Sequence, residues 1–206
     1  MQRQKNKKVI YIIPKDKELL KLHLGCGQHK EEGWVNVDIT STSATDVVWD
    51  LRETPWPWED NSISEAKGDH FLEHLDGPER MVFFNELYRV LTPKITTTLG
   101  EIVTLPGKAS FSFPYYTSMR AIQDYSHKWP PLCEASFLYL NKEWREVNKL
   151  DHYPITCDYN YNYGHSWDIV WGQKNLETRT FALNHYNNVV YDLIVHLETK
   201  KLLTKE

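Results

Sequence analysis

The sequence predicts an α/β fold, a doubly wound and mostly parallel sheet with an antiparallel C-terminal portion and an aromatic-rich lid insertion. Three observations point there. Short apolar strands alternate with polar connections up to residue 105, the pattern of a layered α/β sheet. One segment, near residues 76–92, carries apolar residues at helical spacing. Past residue 165, strand-like runs follow one another across short polar turns, which favours antiparallel pairing. The chain has 206 residues, 41% hydrophobic and 25% charged. That is a globular composition, and the length suits one domain with a sizeable core, read here as residues 1–206.

The elements follow in order. Val9–Ile13 is a short apolar run stopped by Pro14. Leu20–Leu24 is apolar at every second position and runs into Gly25-Cys26-Gly27. Trp34–Ile39 puts Val35, Val37 and Ile39 on one face, with Asp38 near its end. Asp46–Leu51 is a third strand around Val47-Val48-Trp49, and Ile63–Gly68 a fourth. A helix then starts at Asp76-Gly77. Pro78 suits its first turn, and Glu79 complements the positive end of the helix dipole. Met81, Phe84, Leu87, Tyr88 and Leu91 form its apolar stripe, and Thr92-Pro93 stops it. Glu101–Leu105 reads as another strand, closed by Pro106-Gly107. Ser110–Tyr163 is rich in Pro and aromatics with weak periodicity, and is expected to form a lid or substrate lobe. Trp167–Trp171, Thr178–Leu183 and Val189–Leu197 read as the closing strands.

Composition excludes several function classes. A net charge of −4 disfavours nucleic-acid binding by bulk electrostatics. No apolar run approaches the roughly 18 residues of a membrane span, and no apolar signal core follows the basic start at Met1–Lys8. Cys26, Cys133 and Cys157 are far apart, with no CxxC spacing. They predict a reduced, cytoplasmic setting without a disulfide framework or a Cys-type zinc site.

Chemistry-bearing residues gather at the ends of the expected strands. Gly25-Cys26-Gly27 ends the first, where a Gly-x-Gly turn lets a ligand approach bare backbone. Lys30 stands where the dinucleotide pattern has its third glycine, and the short step to the next strand leaves little room for a crossover helix. Asp38, at the end of the second strand, can accept both hydroxyls of a ribose. Asp50-Leu51 ends the third, and Asp69-His70-Phe71-Leu72-Glu73-His74-Leu75 follows the fourth. Polar groups at successive carboxyl ends mark where such sheets bind ligands.

These blocks ("KLHLGCG", "GWVNVDI", "DVVWDL", "PWPWEDNSISEAKGDHFLEHL" and "ELYRVLTPK") resemble, in this order, class I S-adenosylmethionine-dependent methyltransferases with a Rossmann-like sheet. The compact bacterial and phage-type members are the most similar. The resemblance spans about residues 20–105, which would be the cofactor-binding half, with 106–206 as substrate region and closing strands. It implies that Gly25, Cys26 and Gly27 line the methionine end of S-adenosyl-L-methionine. Asp38 would hold the ribose, Asp50 and Leu51 would border the adenine, and Asp69 and His70 would face the reacting sulfonium. His23 replaces an acidic residue common before the glycines. Glu65 stands where Asp is common, and residues 94–100 replace a Gly-Gly.

In such a protein the cofactor carries the reactive group, and the chain supplies alignment. A general base is needed only for an acceptor that carries a proton, and His70, Asp124 and His127 are the candidates. The acceptor would be a small molecule or a modified polymer end. Two other readings stay open from sequence. One is a non-catalytic binding module on the same sheet, suggested by the missing third glycine. The other is a zinc peptidase, because His70-Phe71-Leu72-Glu73-His74 matches H-x-x-E-H. Under the first reading no metal is expected, and Glu73 and His74 would be polar edge residues. Cys26 is expected to fill space rather than react. Trp56-Pro57-Trp58 would be a rigid loop covering the cofactor side or a surface turn packed on the sheet.

Eighteen of the 27 aromatic residues lie beyond residue 105. Tyr153, Tyr159, Tyr161, Tyr163, Trp167 and Trp171 mix there with Asp151, Asp158 and Asp168, without a Lys or Arg between Lys149 and Lys174. Such a surface suits a planar or cationic acceptor, and equally the packing of a small lobe.

Overall fold

The computed structural model describes residues 19–97 and 102–205. The expected strand Val9–Ile13 and Glu101 lie outside them. Seven strands form the main sheet: β1 Leu20–Leu24, β2 Val35–Asp38, β3 Val47–Val48, β4 Ile63–Asp69, β7 Lys108–Pro114, β8 Tyr159–Trp167 and β9 Val190–Thr199. Their order across the sheet is β3-β2-β1-β4-β7-β9-β8. The first five run parallel, and β9 is antiparallel to both of its neighbours. This is the predicted mostly parallel sheet with an antiparallel C-terminal portion. A second, three-stranded sheet joins β5 Lys94–Thr97, β6 Ile102–Thr104 and β10 Leu202–Lys205.

Alternation along the strands builds the layers. Leu22, Leu24, Val37, Ala66, Phe111, Phe113, Leu193 and Val195 are buried together in the core. By register, Lys67, Ser110, His196 and Asn162 share the opposite face and line a polar groove there. Helix α1, Gly77–Val90, covers the apolar face with Phe83, Phe84, Leu87 and Val90. Its start is a reciprocal capping box. Asp76 Oδ1 accepts from Glu79 N–H at 2.8 Å, and Glu79 Oε2 accepts from Asp76 N–H at 2.8 Å. The β1–β2 connection is a loop, as its short spacing anticipates, and so is the β2–β3 connection.

The insertion between β7 and β8 contains 3-10 turns at Met119–Ala121 and Glu134–Leu140 and a short helix α2, Lys142–Val147. Phe137 anchors it, stacked on Phe113 at 5.7 Å and edge-on to Phe84. Buried arginines tie its backbone down. Arg80 donates to the carbonyls of Leu72, Pro130 and Lys128, and Arg145 to those of Tyr139 and Cys157. Burial lowers the Arg80 pKa to about 10, so it stays charged at neutral pH. Trp56 is likewise core rather than surface. It lies against Phe83, and its Nε1 donates to the Leu51 carbonyl.

Several sequence expectations need correction. Ser110–Pro114 belongs to the central strand β7, and Tyr159–Tyr163 to β8, so the insertion is shorter than 110–163. Pro106-Gly107 does follow the expected strand near 101–105, and it leads directly into β7 of the main sheet. Gly107 presses on the end of the α1 stop, where an added Cβ would sit 2.8 Å from Thr92 N. Ile102–Thr104 is a strand, but of the small sheet. Thr178–Leu183 lies in helix α4, Leu176–His185, started by Asn175, whose side chain accepts from Thr178 N–H. Trp167 ends β8, and Asp168 caps a short helix α3, Ile169–Gly172. In both cases a short polar cap at the boundary outweighs β-branched and aromatic composition. No helix among the described residues is long and apolar enough to cross a membrane.

Arg80→Met is expected to lower stability by about 1–3 kcal/mol, since it orphans buried carbonyls. Limited proteolysis of the variant should cut first within residues 115–133. Unchanged urea unfolding and proteolysis would contradict the tethering role.

Candidate functional site

The carboxyl ends of β1, β2, β3 and β4 converge on one edge of the sheet. After β1 the chain turns through Gly25 and Gly27, at φ +67° and +54°. Gly25 has no room for a side chain, because an added Cβ would lie 2.6 Å from Phe71 Cβ. An added Cβ on Gly27 would meet nothing within 4 Å. Gly27 N–H donates to Asp38 Oδ2 at 2.9 Å, and Thr40 N–H to Asp38 Oδ1 at 2.8 Å. The turn after β1 is thereby fixed to the end of β2. Cys26 is buried, its sulfur beside Thr45 Oγ1, and burial pushes its thiol pKa up. It fills space, as expected.

A residue that sequence reasoning missed holds these loops. Asn36, fully buried, accepts from Glu31 N–H, sits 3.0 Å from His23 Nδ1, and donates to Asp46 and to the Glu31 and Trp34 carbonyls. His23 thus occupies its position as a hydrogen-bond partner rather than a ligand-facing acid. At the end of β3, the Asp50 carboxylate is taken by Arg52, whose Nε and Nη2 donate to both oxygens, and this holds Asp50 below its usual pKa. Leu51 is buried beside it. At the end of β4, Asp69 accepts from Ser112 Oγ. His70 follows at φ +53°, its N–H bonded to the Ser112 carbonyl.

Comparison with solved structures decides the fold. A SAM-dependent methyltransferase from Archaeoglobus fulgidus aligns over 89% of this chain and 87% of its own, at 17% identity and a TM-score of 0.57. The fold is that of a class I S-adenosylmethionine-dependent methyltransferase. A Mesorhizobium loti methyltransferase (14% identity, 90% and 93% covered, TM-score 0.46) and the 1,6-didemethyltoxoflavin-N1-methyltransferase of Burkholderia thailandensis (10%, 88% and 71%, 0.48) also align, at scores too low to add weight. No protein-family model and no curated protein matches the sequence.

Beside this edge lies a second group of side chains. His70 Nδ1 is 3.3 Å from Glu73 Oε1, and that contact raises the His70 pKa. Glu73 is 7% exposed, which corrects its expected place as a polar edge residue. His70 precedes the single 3-10 turn Leu72–His74 in a left-handed backbone conformation. The two histidines of the H-x-x-E-H match therefore do not share an α-helix, and the peptidase arrangement does not form. Asp124 and His127 join the group, though not as a direct pair. Asp124 Oδ1 accepts from Ser126 N–H and Oγ, Ser126 Oγ meets His74 Nδ1 at 3.1 Å, and His127 packs edge-on to His74.

Toward the aromatic half, Arg120 and Asp192 form a 2.9 Å ion pair near enough to His70 to act on its charge. Glu134 accepts from Tyr115 Oη at 3.0 Å and contacts His165 Nε2 at 2.6 Å. Burial pushes the Glu134 pKa up, but these hydrogen bonds outweigh it and leave it lowered. None of these five stands in a recognisable sequence motif, since they come from the end of β7, the insertion, β8 and β9.

Gly25→Ala should destabilise the protein well beyond Gly27→Ala. Both meet the roughly 1–2 kcal/mol cost of a left-handed backbone, but only Gly25→Ala also displaces Phe71. Equal losses in chemical denaturation would contradict the packing described for the turn.

Proposed function

We propose that the chain is a methyltransferase that uses S-adenosyl-L-methionine, with the Gly25–Gly27 turn and Asp38 as its cofactor cradle. The observation that carries this is the coupling of the two across the open edge of a sheet with methyltransferase fold. The residues fit the cofactor. Gly27 leaves the space above its backbone free, so a ligand can approach it. Each Asp38 oxygen accepts one backbone N–H and keeps a lone pair for a ribose hydroxyl. When bound, the cofactor supplies an activated methyl group on a sulfonium.

In this reading Gly25, Cys26 and Gly27 border the methionine end through backbone. Leu51 forms the apolar wall beside the adenine, and Asp50, locked by Arg52, shapes that wall. Asp69 and His70 face the reacting end. The acceptor, a small molecule or a modified polymer end, enters from the side of Arg120, Asp192 and the aromatic insertion, and attacks in line. His70 orients it by hydrogen bonding. His127 borders the same side. Asp124 is a positioning residue that acts on His74 through Ser126. The chain works as one domain in a reducing, cytoplasmic setting, a reading supported by its three free cysteines.

Calorimetric titration with S-adenosyl-L-methionine tests the cradle. The wild type should bind one equivalent, and Asp38→Ala should weaken binding about tenfold or more while circular dichroism stays native. A folded wild type that binds nothing at millimolar cofactor would refute the proposal.

A further inference from the structure

We propose that Glu73, His74 and His127 form a binding site for a divalent transition-metal ion of the zinc class, beside the edge described above. One ligand atom from each residue lies within 4.8 Å of the other two. Donors around tetrahedral zinc, at about 2.0–2.1 Å from the ion, are about 3.3 Å apart, so small side-chain adjustments close the set. The site joins two chain segments. Residues 73 and 74 come from the 3-10 turn after β4, and residue 127 from the insertion, with Lys128 N–H donating to the Glu73 carbonyl at 2.7 Å. Arg80 holds the Lys128 carbonyl from behind.

The hydrogen bonds prepare both imidazoles as ligands. His127 Nδ1 faces the Ala121 carbonyl at 3.2 Å, and a carbonyl only accepts, so Nδ1 carries the proton. Ser126 Oγ donates its one proton to Asp124 Oδ1 at 2.6 Å, so toward His74 Nδ1 it accepts. Both neutral rings therefore keep their Nε2 lone pairs free. A ligating histidine whose other nitrogen donates to a carbonyl, or to a hydroxyl backed by a carboxylate, has the outer-shell arrangement of a metal site. The third donor gives an independent sign. Glu73 Oε2 is buried with no hydrogen-bond partner among the described residues. An unpaired buried carboxylate oxygen is costly, and a cation satisfies it. Two imidazoles and one carboxylate suit zinc, cobalt(II) or iron(II) rather than calcium or magnesium, which prefer oxygen donors. The ligand set omits His70, which distinguishes it from the H-x-x-E-H arrangement.

The test uses the full chain, stripped with a chelator and titrated with cobalt(II) alone, read by visible absorption, then back-titrated with zinc. One equivalent should bind with d–d bands, and zinc should displace it. His127→Ala and Glu73→Gln should each weaken binding tenfold or more. Ser126→Ala, which removes the hydroxyl that links His74 to Asp124 and no ligand, should weaken it about tenfold. Circular dichroism checks that each variant folds. If His127→Ala does not fold, nitrogen NMR of the wild type decides, because zinc should shift Nε2 of His74 and His127. No stoichiometric binding, equal affinity in the variants, or unmoved Nε2 signals would overturn the proposal. Metal binding is read without S-adenosyl-L-methionine, so its failure and that of the cofactor reading are separable.

Discussion

The contact between Phe71 and the glycine turn after β1 is the constraint on which the site depends. The Phe71 side chain lies where a side chain on either Gly25 or Gly68 would have to go, its Cβ 2.6 Å and its ring Cε1 2.5 Å from the positions of their absent Cβ atoms. It therefore wedges β1 against β4 at their carboxyl ends. Phe83 and Phe111 pack on it from α1 and β7, at 5.2 Å and 5.9 Å between centroids. The turn is set by this core contact together with the hydrogen bonds that tie it to β2. Gly27 can then present its N–H to Asp38, and His70, next to Phe71, is forced into its left-handed conformation at the open edge.

Buried cationic side chains do for the insertion what Phe71 does for the turn. A segment with little regular structure leaves carbonyls unpaired, and a guanidinium with its fork of donors satisfies several at once. Arg80 does so at the base of the 124–130 turn and Arg145 beneath Cys157. Glu86 does the converse for the loop before β4, accepting from Trp56 N–H and from Arg89. The aromatic excess in the second half divides accordingly. Phe111, Phe113, Phe137 and Tyr159 are buried structural packing. Tyr125 and Trp129 are exposed on the insertion, and Tyr163 is half-exposed, stacked on Tyr161 along β8.

Much of this was legible in the sequence wherever the signal is local. Gly-x-Gly after an alternating strand, an acid at the end of the next, and Asp-Gly-Pro-Glu before an apolar stripe each encode their geometry within a few residues. Failures came where tertiary context decides. Thr178–Leu183 has β-branched content, yet Asn175 caps it into a helix. Residues 102–104 and 108–114 are both strand-like, and only long-range pairing with β4 and β9 places the second in the main sheet. Asn36, Glu73 and Arg80 are polar residues whose burial no periodicity announces: Asn36 ties together loops on both sides of it, Glu73 keeps one oxygen unpartnered among the described residues, and Arg80 finds carbonyls about 50 residues away. His74 and His127 were visible individually but not as neighbours, since 52 residues separate Ser126 from its partner His74.

Whether the edge formed by β1, β2 and β4 holds the cofactor is decided by a crystal structure with S-adenosylhomocysteine. The ribose hydroxyls should lie within hydrogen-bonding distance of Asp38 and the ligand backbone over Gly27, with the sulfur near Asp69 and His70. A nucleoside seated elsewhere, for instance in the polar groove beside Lys67 and His196, would contradict that placement.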